Sequence, residues 1–158
     1  MSGRSLADIE RLLGRDLFVD YAQAGGLFED ADLRSRRASG RAGRDLVASD
    51  GLRTFTQAVA NRLKTRRGEL ASLGHAGYGS RHHELLGEPN VPRTRNLIKL
   101  YVLQALRDEP RIEKVLRAEV RPEHDPPRES VRIELEVRVI GVATPVNLIV
   151  PFFLETAP

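Results

Sequence analysis

Residues 130–140, SVRIELEVRVI, decide the fold class because their apolar and charged side chains alternate strictly. Successive side chains of a β-strand point to opposite faces of the sheet, so this period predicts a strand with one buried and one solvated face. The residues predicted to face inward are Val131, Ile133, Leu135, Val137 and Val139. The C-terminal end is therefore expected to form a sheet.

Two further strands are predicted beside this one, over residues 114–121 (KVLRAEVR) and 145–155 (PVNLIVPFFLE), with a proline-stiffened turn at 124–129. Their inward residues are predicted to be Leu116, Ala118 and Val120 in the first strand, and Val146, Leu148, Val150 and Phe152 in the second. Pro145 and Pro151 have no N–H group for a ladder hydrogen bond, so the last strand is expected at a sheet edge.

Upstream of the strands, the apolar spacing is that of helices, which are predicted over residues 5–13, 49–65, 80–87 and 92–108. In the second helix, one stripe is predicted to contain Leu52, Phe55, Val59 and Leu63, with Arg62 on another face. In the last helix, the apolar side is predicted to contain Leu97, Leu100, Tyr101, Gln104 and Ala105, widened by Ile98, Val102 and Leu106. The predicted class is α+β, with N-terminal helices packed on a small antiparallel β-meander at the C-terminal end.

Residues 29–44, EDADLRSRRASGRAGR, contain five Arg and hardly any large apolar side chain. Such a stretch buries little surface and is predicted to be a flexible, Arg-rich arm, or else to fold on a partner. The domain organisation predicted from this composition is an N-terminal helix and arm over 1–45, followed by one domain over 46–158.

The composition limits the chemistry of the protein. The chain has no Cys, which excludes disulfides, a thiolate nucleophile and a Cys-ligated zinc. It has no apolar run long enough for a signal peptide or a membrane span, so synthesis and folding in the cytoplasm are expected, without a membrane partner. The net charge is +3, but 22 of the 25 basic residues are Arg, which fits codon bias as well as recognition, so nucleic-acid binding is not favoured.

The candidates for catalysis and metal binding are weak. His75, His82, His83 and Glu84 are the only group resembling metal ligands, but neighbouring residues on a helix point about 100° apart, so no metal or other cofactor is expected. Acidic residues that could pair for glycoside hydrolysis are Glu69, Glu84, Glu88, Asp108 and Glu109. Ser80 near the histidines lacks a nucleophile elbow and reads more simply as a helix cap.

One ordered pattern runs through the chain, L…Q…RLKTRRGEL…GYGSRHHELLG…DEPRIEKV, before the strands that end in VNLIVPFFLE. It resembles the baseplate wedge family of contractile tails, which is the gene-twenty-five product of phages, also called the sheath initiator. Counterparts occur in tailocins, in extracellular contractile injection systems and, as TssE, in type VI secretion. The resemblance covers about residues 46 to 154. The matching positions are Gln57, Arg62, Leu63, Thr65, Gly68, Glu69, Tyr78, Gly79, Ser80, Glu109, Pro110 and Arg111.

This resemblance implies a structural protein without enzymatic activity or cofactor, although members have carried a lysozyme-like label. It implies assembly in the cytoplasm into a virion or phage-like particle, with six copies per particle. The implied partners are baseplate wedge proteins and the sheath, with tube or hub proteins as further contacts. The rival hypotheses are a peptidoglycan hydrolase and, more weakly, a nucleic-acid-binding module that uses the arm.

Within the resemblance, Glu109, Pro110 and Arg111 are the grip on the wedge core bundle, with Pro110 fixing a turn that holds the two charges. The alternative is that Pro110 only ends a helix and the charges are solvated. The strands over 131–139 and 146–154 are the implied platform for strand addition by the sheath. Their alternative role is to pack the core of the domain itself.

Overall fold

The computed structural model describes residues 6–23, 29–40, 42–125 and 128–154. These residues form an α+β protein, which confirms the predicted class. The chain divides into two compact units, Met1–Ala58 and Val59–Thr156. A functional boundary after residue 45 stays a prediction. No helix among the described residues is long and apolar enough to cross a membrane.

The first unit begins with α1 (Leu6–Leu13), which confirms the first predicted helix. Six short strands follow, in antiparallel pairs β1–β6, β2–β3 and β4–β5. Their bounds are β1 Arg15–Leu17, β2 Val19–Gln23, β3 Glu29–Leu33, β4 Ser35–Arg37, β5 Arg44–Leu46 and β6 Ala48–Asp50. Each pair forms a two-stranded ribbon that is held by backbone hydrogen bonds.

The prediction of a flexible arm over residues 29–44 is wrong for the part that the structure describes. Those residues form β3, β4 and the start of β5, while Arg41 lies outside the described residues. The prediction considered only how little apolar surface the stretch buries. Pairing of the backbone groups in two ribbons orders these residues without a large apolar core.

Helix α2 (Gly51–Lys64) has the predicted bounds to within two residues. Phe55, Val59 and Leu63 are buried as predicted, but Leu52 is 41% exposed. The helical period places Leu52 on the stripe, yet it lies in the first turn, where the stripe is not covered. Arg62, predicted on another face, is buried.

Two 3₁₀ helices, Ala71–Leu73 and Arg81–Leu85, precede α3 (Pro92–Arg107), which begins at Pro92 as predicted. The predicted apolar side of α3 is partly wrong, because Leu100 is 47% exposed and Gln104 is exposed. The buried residues are Thr94, Ile98, Val102, Ala105 and Leu106. The true side is rotated towards the residues that were expected only to widen it, and α3 contacts the neighbouring strand β7.

The C-terminal sheet is an antiparallel meander in the order β7 (Ile112–Pro122), β8 (Ser130–Val139) and β9 (Val146–Phe153). All five predicted inward residues of β8 are buried, and in β9 Leu148, Val150 and Phe152 are buried. The order confirms that β9, which contains Pro151, is an edge strand.

The predicted inward face of β7 is wrong at Leu116, which is 37% exposed, whereas Ala118 is buried as predicted. The pairing of β7 with β8 shifts register between Ile112 and Lys114, and again between Val115 and Arg117. Each such irregularity inserts a residue, and a shift of one residue turns the following side chains to the other face.

Candidate functional site

The Glu109-Pro110-Arg111 triplet forms the corner between α3 and β7. The N–H of Glu109 donates to the carbonyl of Leu106 at 3.1 Å, and the Glu109 carbonyl accepts from Ile112 at 3.1 Å. The Arg111 carbonyl accepts from the N–H of Ile140, at the end of β8, at 3.0 Å. The corner is therefore fixed to both the helix and the sheet, with Pro110 exposed at its tip.

The Glu109 carboxylate lies buried between two guanidinium groups. Its Oε1 accepts a hydrogen bond from Arg111 Nε at 2.5 Å, and its Oε2 lies 3.6 Å from Arg62 Nη2. Burial raises the pKa of Glu109, but the hydrogen bond and charge of Arg111, together with the charge of Arg62, outweigh it and hold the pKa below its usual value. Glu109 is therefore ionised at neutral pH and is 4% exposed.

Arg62, from the last turn of α2, closes the inner side of this cluster. Its guanidinium lies over the ring of Tyr78, 4.6 Å from the ring centroid, and its Nε is buried without a hydrogen-bond partner. Burial has the largest effect on the pKa of the Tyr78 hydroxyl and raises it above its usual value. Arg62, Tyr78, Glu109 and Arg111 thus form one cluster, called here the arginine–glutamate corner.

Three of the other motif positions shape the loop after α2. The hydroxyl of Thr65 donates to the carbonyl of Asn61 at 2.8 Å. Gly68 has a φ of +87°, and Glu69 Oε2 accepts from the N–H of Arg66 at 2.9 Å. These contacts join residues that are close in sequence, so the three positions have a structural role in the loop.

Gly79 and Ser80 attach the next loop to this one. The N–H of Ser80 donates to the Thr65 carbonyl at 2.9 Å, and the N–H of Arg67 donates to the Ser80 carbonyl at 3.1 Å. A Cβ atom on Gly79 would lie 2.6 Å from the Thr65 oxygen, and its φ is +95°. Only glycine fits this crossing.

Replacing Gly79 with Ala is expected to destabilise the protein by about 1–3 kcal/mol, because the strained φ and the backbone clash add. The matched control is Gly74→Ala, since Gly74 has a φ of +83° but nothing within 4 Å of its Cβ position. Urea denaturation followed by circular dichroism measures both. Equal losses for the two variants would show that the close approach at Gly79 does not matter.

Ser80 and His82 do lie together, with Ser80 Oγ 2.7 Å from His82 Nδ1, but they are 1% and 2% exposed. His82 stacks on His83 with ring centroids 4.3 Å apart and meets the edge of Phe152. His83 Nε2 lies 2.8 Å from the Leu63 carbonyl. Burial, with a smaller effect of His83, lowers the pKa of His82 to about 3. This is a neutral, buried contact with β9, inaccessible to a substrate.

Gln57 belongs to the first unit and to a different contact. Its Nε2 donates to the Leu17 carbonyl at 2.8 Å, and its Oε1 accepts from the N–H of Val19 at 2.9 Å. The side chain therefore spans the link between β1 and β2. The sequence-predicted positions thus divide among the arginine–glutamate corner, the two attached loops and this link.

The metal and hydrolase candidates are dispersed. Among residues 6–23, 29–40, 42–125 and 128–154, no group of three His, Asp or Glu side chains is placed to hold a metal ion. Glu84 pairs with Arg81 at 2.9 Å, and Asp108 lies 3.8 Å from Arg67. Sequence reasoning missed Arg62 as the inner partner of Glu109, because a helix wheel cannot show that a charged face is buried.

The chain is an α+β protein with the arginine–glutamate corner as its candidate site. Comparison with known proteins shows what this fold is similar to. No protein-family model and no curated protein matches the chain. A crystal structure at 1.44 Å of a candidate tail lysozyme from Geobacter sulfurreducens is similar, with 28% sequence identity and a TM-score of 0.56. The match covers 65% of this chain and 90% of that one. The two chains therefore share a fold over most of the length of the Geobacter sulfurreducens protein.

Proposed function

We propose that this chain is a structural baseplate component of a phage tail or a related contractile injection system. In this proposal it docks on the core bundle of the wedge proteins and nucleates the sheath. It assembles in the cytoplasm as six copies per particle, with tube or hub proteins as further neighbours. The observation that carries the proposal is the fixed arginine–glutamate corner in a chain similar to a tail protein.

The members of the corner have different roles in this proposal. Glu109 is buried and engaged by two arginines, so it acts as a positioning residue rather than as a contact. Pro110 is exposed, and the Arg111 side chain is 24% exposed while its Nε is held by Glu109. A guanidinium held in this way loses little side-chain entropy when it meets helix carbonyls or carboxylates of the wedge bundle.

The sheath contact is proposed at β9. This strand pairs with β8 through Val137↔Val146 to Ser130↔Phe153, and its other edge is unpaired by any strand of the described residues. Ile149 is 64% exposed on its outer face. An edge strand of this kind accepts an added strand readily, and Pro151 limits uncontrolled pairing.

A hydrolase is the second candidate, because the similar structure is described as a candidate tail lysozyme. A glycosidase needs a carboxyl group with a raised pKa as general acid. The described acidic groups with a shifted pKa are Glu84, Glu109 and Glu119, and all three shifts are downward because of arginine partners, despite the burial of Glu109. This pattern favours the structural role.

The test is deletion of the gene in the producing strain, followed by electron microscopy of purified particles. Bare tubes or no particles are expected, with sheathed particles restored by the wild-type gene. Arg111→Glu is expected to restore fewer than about one tenth as many, because reversing an interface charge costs 2 kcal/mol or more, about 30-fold in affinity.

The matched control for that test is Arg93→Glu, because Arg93 is exposed on α3 away from the corner. It is expected to restore sheathed particles fully. Normal sheathed particles from the deletion strain would contradict the proposal. Clearing of peptidoglycan by the purified wild-type protein would favour the hydrolase.

A further inference from the structure

The three ribbons of the first unit meet at a junction with pseudo-threefold symmetry. Phe18, Arg34 and Val47 are single residues that each lead from one ribbon into the next. The N–H of Phe18 donates to Val47 at 2.7 Å, that of Val47 to Arg34 at 2.8 Å, and that of Arg34 to Phe18 at 3.0 Å. These three bonds form a closed ring, so the three residues are structurally equivalent.

The sequence carries a matching repeat, Asp-Leu before each junction residue, at 16–17, 32–33 and 45–46. The N–H groups of Leu17 and Leu33 each donate a hydrogen bond to Oδ1 of the preceding Asp at 2.7 Å. Leu17, Leu33 and Leu46 are 42%, 43% and 48% exposed. One exposed leucine needs no explanation, but the same exposed leucine at three equivalent positions does.

The three leucines lie on one face of the junction. Residues directly opposite in neighbouring strands share a face, as do residues two apart along a strand. The cross-strand pairs are Leu17↔Ala48, Val19↔Leu33 and Ser35↔Leu46. On either side of each junction residue lie two residues that are two positions apart and so share a face: Leu17 and Val19, Leu33 and Ser35, and Leu46 and Ala48. These steps link the three cross-strand pairs into a closed ring. All six residues therefore lie on one face, called here the leucine face.

The start of α2 lies on the opposite face of the junction. The guanidinium of Arg53 lies 5.2 Å from the ring centroid of Phe18, which points away from the leucine face by the same alternation. Ser49, adjacent to Ala48 and so also on the opposite face, is 3.0 Å from the hydroxyl of Thr54. The first turns of α2 therefore leave the leucine face uncovered.

The rim of the leucine face is basic. The next pairs outward on the same face are Arg15↔Asp50, Tyr21↔Ala31 and Arg37↔Arg44. They contain three Arg and one Asp, and Arg44 is aligned along its ribbon by a bond from Nε to Ser35 Oγ at 2.9 Å. The face is therefore apolar at the centre and positively charged at its edge.

We infer that the leucine face is a docking site for a partner protein that has an apolar centre flanked by carboxylates. This complements both the leucines and the arginine rim. A second copy of this chain would bring two basic rims together, which opposes self-association. A nucleic acid would place phosphates over a centre of leucines, where no charge can pair with them. This inference is independent of the proposed wedge and sheath contacts.

The test places a photo-activated benzophenone side chain at position 33 of the full chain in the producing strain, followed by mass spectrometry of the cross-linked peptides. We expect a cross-link to a segment of another protein with carboxylates beside apolar residues. The same probe at position 73, where Leu73 is 70% exposed in the second unit, is the control and should not capture that segment. Cross-links to another copy, to nucleic acid or to nothing would overturn the inference.

Variants then test the two parts of the surface. Replacing Leu17 and Leu46 with Ser, or Arg37 and Arg44 with Glu, is expected to lower the cross-link yield about tenfold or more. Arg36→Glu is the matched control, because Arg36 pairs with Asp45 on the opposite face. Circular dichroism verifies that each variant is folded. Yields that respond to Arg36→Glu as strongly as to the rim variants would also overturn the inference.

Discussion

Replacing Glu109 with Gln is expected to lower the free energy of unfolding by about 3 kcal/mol. The carboxylate is nearly the same size as the amide, so the change removes charge without opening a cavity. It leaves the buried guanidinium of Arg62 without its counter-charge, and breaking one side of a buried pair costs about 3–5 kcal/mol. The Nε of Arg62 already has no hydrogen-bond partner, so it makes no contact that could offset the loss of the carboxylate charge.

Urea denaturation of the purified variant measures this loss. Glu119→Gln is the control, because Glu119 also binds two arginines but is far more exposed, and its denaturation midpoint is expected to stay unchanged. The double variant Arg62→Met, Glu109→Gln is expected to recover part of the stability, since no buried charge then remains unpaired. A Glu109→Gln midpoint equal to that of Glu119→Gln would contradict a buried ion pair.

The second large effect is a loss of stability in mild acid. In the unfolded chain His82 takes up a proton near its ordinary pKa of 6.5, whereas in the folded protein its pKa is about 3. Between these values the unfolded state holds the extra proton, so stability falls as the pH falls from about 6.5 towards 3. The full difference corresponds to about 5 kcal/mol. Protonation of Glu109 lowers the stability further, but only below the usual glutamate pKa of 4.5.

Urea midpoints measured between pH 7 and 5 separate the effect of His82 from that of Glu109, because Glu109 stays ionised in this range. The wild-type midpoint is expected to fall steeply with pH, and His82→Gln, although less stable at pH 7, should show a flatter profile. His75→Gln is the control, since His75 is exposed in the loop before Tyr78. Parallel profiles for wild type and His82→Gln would show that His82 does not remain neutral in the folded protein.

The sheet shows where sequence patterns suffice. Strand β8 is central, has no register shift against β9 and alternates without interruption, so every inward residue was predicted. Strand β7 has two irregularities whose positions depend on its partner, and Leu116 was therefore assigned to the wrong face. A period of two predicts faces only while the pairing stays regular.

The site and the ribbons show what sequence patterns omit. The triplet at 109–111 was predicted to be a fixed corner, but burial of Arg62 comes from residues distant in the sequence and has no local signal. The Arg-rich stretch was misjudged because composition was weighed and the Asp-Leu repeat was not. That repeat, at 16–17, 32–33 and 45–46, was the signal that could have predicted three equivalent ribbons.

A cryo-electron microscopy reconstruction of the baseplate in purified particles tests the central claim most directly. The account predicts six copies of this chain, each with Pro110 and Arg111 against a helical bundle and with β9 beside a strand of the first sheath ring. Absence of the chain from the baseplate, or a corner at 109–111 that faces solvent, would contradict it.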